Sequence, residues 1–156
     1  MKGMTCIVKT ITDWTKGLIV VLGIYIVLYG HLSPGGGFAG GVVIAVGLIL
    51  ATLAYGEDAL NKKFAKRLDS LSAITFLAIA FIALCIGRPF FENFIMKVFK
   101  MKPFRLVTAG TIPLSNIAIG IKVSSSIFLI FMFIASMKFV LSKSGIEYEI
   151  EDIEEE

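Results

Sequence analysis

The chain has 156 residues, 56% of them hydrophobic and 17% charged, with a formal net charge of +3 and a mean hydropathy of +0.86. A water-soluble domain of this length needs far more polar surface around its core, so soluble enzymes and free nucleic-acid binders are excluded and a membrane protein is expected. One His and two Cys, with no CxxC pair and no Gly-Lys-Ser/Thr loop, leave nothing from which to build a metal site, an iron–sulfur cluster or a nucleotide cradle, so neither metal nor cofactor is expected.

The expected fold is all-α, with four transmembrane helices in a membrane domain over residues 1–143. Lys16 and Glu57 bracket 40 residues without a formal charge, twice what one bilayer crossing needs at about 1.5 Å per residue. The run is cut by Gly30-His31-Leu32-Ser33-Pro34-Gly35-Gly36-Gly37 and reads as two helices joined by a tight turn, over 11–30 and 38–56, with Trp14 suited to an interface. A third span over 70–87 is closed by Arg88-Pro89, and a fourth over 116–139 carries one charge inside, Lys122. Between these last two, Phe90, Phe91, Phe94, Ile95, Val98 and Phe99 recur at helical spacing beside Glu92, Lys97 and Lys100. That pattern predicts an amphipathic helix lying on the membrane surface, with contact to a partner as the competing reading. No cleaved signal peptide is expected, because the first apolar run leads into another span rather than to a small-residue cleavage site. Cys6 and Cys85 fall in or near different spans and read as small apolar fillers, not a disulfide.

Charge is unevenly placed. Through Ile146 there are 15 Lys+Arg against 5 Asp+Glu, while Glu147 to Glu156 hold the other 7 acids. The tail over 144–156 is therefore acidic, either solvated or docked on a basic surface. Four spans put the N-terminus, the Glu57 to Asp69 loop and the C-terminus on one side with nine basic residues, against five on the other (Arg88, Lys97, Lys100, Lys102, Arg105). By the positive-inside rule both termini face the cytoplasm and the chain is a multi-pass protein of the cell membrane.

Few residues carry chemistry. Gly36 and Gly40, then Gly37 and Gly41, form small-xxx-small faces that suit close helix packing; a Pro-Gly break beside a helix start also exposes N–H groups able to order water or an anion. His31 precedes that break. It is the one side chain able to trade protons near neutral pH without a large shift, or else it caps the turn through its backbone. Lys122 within a span is expected to be paired in a polar interior, with Asn116 and Ser124 to Ser126 nearby, the alternative being a side chain that snorkels to the surface. Since Asp13, at the start of the first span, is the only acid found in the four spans, the partner of Lys122 is expected from another subunit.

Two stretches, GHLSPGGGFAGG at Gly30 to Gly41 and IPLSNIAIGIKV at Ile112 to Val123, together resemble the MnhB/MrpB family, the B-type subunit of multisubunit Mrp cation/proton antiporters. Related subunits occur in membrane-bound hydrogenase and sulfur-reducing complexes. The motif positions are His31, Pro34, Gly35, Gly36, Gly37, Phe38, Gly40 and Gly41, then Pro113, Asn116, Gly120 and Lys122; the Ser124-Ser125-Ser126 run is bulkier than the family's Gly/Ala-rich sequence there. The resemblance implies a transport subunit, not an enzyme, working beside other membrane subunits, hydrogenase-like ones among them, in an assembly that exchanges Na+ for H+. It makes His31, Lys122 and Asn116 the candidates for an ion or proton path and the remaining motif positions a packing and turn element. A purely structural role in the same assembly is the alternative. A self-contained exporter is disfavoured, because Asp13 stands at a helix start and no other expected span contains a carboxylate to alternate between proton and substrate.

Overall fold

The structure, a computed structural model, describes residues 4–32, 34–56, 61–93, 95 and 109–143, with side chains of the last helix as far as Met137. Four helices carry it: α1 Cys6–Tyr29, α2 Gly36–Tyr55, α3 Lys62–Cys85 and α4 Thr111–Lys143. All four are long and apolar enough to cross a membrane, α4 through its Thr111–Met137 stretch. The described residues contain no strand, so the all-α, four-span expectation holds. The acidic tail over 144–156 lies outside the described residues.

Each helix starts and stops for a local reason. The Asn61 side chain caps α3, its Oδ1 accepting from the backbone N–H of Lys63 at 2.9 Å and of Phe64 at 3.4 Å. α3 therefore begins at Lys62, eight residues before the expected span over 70–87, and takes Asp69 into its third turn. α2 ends where the Gly56 N–H reaches back to the Thr52 carbonyl at 2.8 Å. At the start of α4, Thr111 N–H donates to Asn93 Oδ1 at 3.0 Å while Asn93 Nδ2 donates to the Ala109 carbonyl at 2.7 Å, tying the preceding loop to the helix. Pro113 stands in that first turn, where a missing N–H leaves no intrahelical bond unmade.

Packing is by small residues. Ala45, Ala54, Ala80, Ala83 and Ala118 are buried, with Phe128 the largest side chain fully enclosed, while Trp14, Leu18, Phe38, Ile74 and Phe133 stand well exposed. In lipid the outward apolar residues need no cover, and helices associate through close backbone approach. Three of the buried hydroxyls bond within their own helix, Thr52 donating to the Leu48 carbonyl, Ser72 to that of Asp69 and Ser124 to that of Ile121. α2 packs against α1 and α4, whereas α3 packs along α4 and barely meets α1 or α2.

The amphipathic segment is described only in part: Phe90 and Phe91 form a turn, Phe91 with φ 63°, which no α-helix accommodates, and Ile95 is helical. Their rings fold back onto α3, Phe91 lying 5.2 Å from Phe76 and Phe90 6.0 Å from Phe81 between centroids. Phe94, Val98 and Phe99 lie outside the described residues. Cys6 and Cys85 are free thiols.

Candidate functional site

The Pro-Gly turn and the Asn116 segment, far apart in sequence, meet at one end of the bundle. Gly35 and Gly36 have φ of 144° and 77°, conformations that favour glycine and let the chain reverse between α1 and α2. Asn116 lies beside the turn, its side-chain amide next to Gly30 and Gly36, and a methyl group on Gly37 would collide with the Asn116 backbone oxygen. Further along, a methyl on Gly40 would stand 2.7 Å from the Gly23 carbonyl oxygen, and one on Gly41 2.8 Å from that of Gly120. Gly120 in turn faces Val27. Three helices thus approach backbone to backbone. Pro34 and Phe38 face outward.

His31 stands in this turn. Both its ring nitrogens are buried and neither has a hydrogen-bond partner among the described residues, so the capping bond that the sequence allowed is not made. The Ser115 hydroxyl, one residue before Asn116, is likewise buried without a partner. Buried polar atoms of this kind are the places where ordered water is expected.

Lys122 faces the other way. It lies eleven residues past Thr111, about 16 Å along the helix, too deep for its side chain to reach that end of the span. Its Nζ donates to Asp69 Oδ1 at 2.7 Å, and the same oxygen accepts from the Ser126 hydroxyl. This corrects the expectation that the partner of Lys122 comes from another subunit: the acid is within the same chain. Asp69 was overlooked because the third span was read from its uncharged stretch alone. The cap signal, Asn61 ahead of the Lys62-Lys63-Phe64 start, would have put Asp69 inside the helix. The structure therefore brings His31 and Asn116 to the α1–α2–α4 junction and sets Lys122 apart on the α3–α4 seam.

A second ionic cluster joins α1 to the end of α2. Asp13 accepts from Lys16 Nζ at 2.6 Å and from the Tyr55 hydroxyl. Lys9 and Lys16 also sit over the Tyr55 ring, 5.5 and 5.0 Å from its centroid. It is an exposed tie between helix ends. Between the four helices an apolar crevice of about 370 Å³, lined by Val27, Leu48, Phe64 and Phe128 among others, brings no charged group to its wall. No group of three or more His, Cys, Asp or Glu side chains placed to hold a metal occurs among the described residues.

Comparison with known proteins matches residues 7–129 to a family model described as a domain related to the MnhB subunit of Na+/H+ antiporter. An uncharacterised protein of Methanocaldococcus jannaschii is 34% identical over 146 residues, covering 89% of this chain and 55% of its own length. A protein named as antiporter subunit mnhB2 in Staphylococcus epidermidis is 29% identical over 93 residues, 58% of this chain and 66% of that one. Among solved structures, a chain from the membrane-bound sulfane sulfur reductase, an archaeal respiratory membrane complex, superposes with a TM-score of 0.70 at 28% identity, covering 81% of this chain and 56% of that chain. The chain thus spans little more than half the length of the archaeal relative and of the solved chain.

Proposed function

This chain belongs to the MnhB family, and from that premise we propose that it is a membrane subunit of an Mrp-type Na+/H+ antiporter module that supports cation and proton translocation. The observation that carries the reading is the Lys122–Asp69 ion pair with Ser126, which joins the apolar stretch of α4 to the third turn of α3. A charge pair is costly at that depth, where an apolar pair would pack at less expense, and intramembrane ionisable groups commonly mark ion or proton pathways. His31 and Asn116 form a second candidate element, supported by the two buried ring nitrogens that have no hydrogen-bond partner among the described residues. The host assembly is a respiratory membrane complex of the sulfur-reducing or hydrogenase type, or a free-standing antiporter, set in the cell membrane with both termini in the cytoplasm. Any electron transfer belongs to other subunits.

The test uses vesicles holding the intact complex. Lys122→Met is expected to leave the complex assembled and to lower Na+-dependent proton movement about tenfold or more, while Lys122→Arg keeps part of it because charge is retained although shape is not. Unchanged transport in Lys122→Met would sink the translocation reading. The second reading, a purely structural assembly subunit, is favoured by the glycine contacts at Gly37, Gly40 and Gly41, and that outcome would leave it standing.

A further inference from the structure

The Lys122–Asp69 pair sits on a part of the chain that α1 and α2 leave uncovered, since α3 packs along α4 alone. The Lys122 side chain keeps 40% of its surface exposed and Asp69 22%. Lys122 stands eleven residues inside the apolar Thr111–Met137 stretch of α4, where what is exposed in the single chain meets either hydrocarbon or another protein. An ammonium has three donors. One goes to Asp69, and the Lys122 ammonium makes no other hydrogen bond among the described residues. Donors turned toward lipid would lose several kcal/mol each relative to water, and among the described residues Asp69 alone accepts from this ammonium.

We infer that this face of α3 and α4 docks a transmembrane helix of another membrane subunit, and that the helix brings an uncharged oxygen acceptor, a hydroxyl or a carboxamide, onto the free donors of Lys122. Charge complementarity sets the chemistry. Asp69 already balances the ammonium, so a second carboxylate would leave a net negative charge in the apolar layer, whereas a neutral oxygen satisfies the donors and leaves the site neutral. Interhelical hydrogen bonds of this type hold membrane helices together. The inference rests on the chain being one subunit of a larger assembly, and not on its part in translocation.

Two measurements on the intact complex test it. A photo-crosslinking amino acid is placed at Ala73, four residues after Asp69, or at Leu129, seven after Lys122, both half-buried beside the pair. Each is expected to form an adduct with another membrane subunit. Separately, Asp69→Asn combined with Lys122→Met removes both charges together, so that no lone charge is left at the seam, but strands the partner's acceptor. Retention of this chain on the complex during detergent dilution should fall roughly three- to twentyfold. Adducts confined to lipid or to this chain at both positions, or unchanged retention of the double variant, would overturn the docking surface. Loss of transport in Lys122→Met without any subunit adduct separates the two ideas, leaving translocation and removing the docking; adducts with unchanged transport do the reverse.

Discussion

The junction of α1, α2 and α4 and the seam between α3 and α4 solve the same problem, holding helices together in lipid, by opposite means. At the junction the side chains have been removed: Gly23, Gly37, Gly40, Gly41 and Gly120 let carbonyls and Cα atoms touch, and dispersion at short range supplies the attraction. At the seam a charged pair with a hydroxyl spans the gap. The first tolerates no added volume and little movement. The second has a partly open side and groups that can exchange hydrogen-bond partners, which is what an ion or proton path requires and a packing contact does not.

The largest effect is expected at the junction. Gly40→Leu or Gly41→Leu inserts a branched side chain where even a methyl stands under 3 Å from backbone, and native gels should show essentially no chain incorporated into the complex. Full incorporation of both variants would erase the contrast. Next comes Asp69→Asn, which strands the Lys122 ammonium inside the apolar stretch of α4, a penalty on the order of 3 kcal/mol for an uncompensated charge. Less folded chain in the membrane and at least a tenfold loss of Na+-dependent proton movement are expected, and wild-type values for both would show that the seam needs no charge pair.

His31→Ala tests whether the junction also serves transport. Assembly should be normal and transport reduced severalfold; unchanged transport would make His31 a turn residue and restrict function to the seam. The smallest effect is expected from Asn61→Ala, which removes the cap that starts α3 early enough to carry Asp69. A loss of about 1 kcal/mol in stability, read as a lower thermal midpoint of the purified chain, follows from the lost cap. No shift in the midpoint would mean that packing on α4 alone holds the first turn of α3.

Much of this was readable beforehand, for reasons that differ by element. Four spans follow from hydropathy because the bilayer demands long runs of apolar residues with internally satisfied backbone, and the Pro-Gly turn declared itself through residues that no helix interior favours. The seam was not readable in the same way. Lys122 was visible as a charge in a span, but its partner stands 53 positions earlier, in a turn of α3 that looked like loop because Lys62, Lys63, Lys66 and Arg67 surround it. Likewise the helical spacing that begins at Phe90 suggests a surface helix, whereas Phe90 and Phe91 themselves form a turn with their rings against Phe81 and Phe76.

What the amino-acid sequence determined by itself is the class of protein, the number of crossings, the sharp reversal after Tyr29 and, through two motifs, the family. These depend on composition, period and local conformation, which act over a few residues. Only the tertiary structure decided that Asn116 lies against Gly30 and Gly36, that Gly41 meets Gly120, and that Asp69 neutralises Lys122. Each is a pairing between helices, set by how helix faces turn toward one another, and no local rule in a single chain specifies which face meets which.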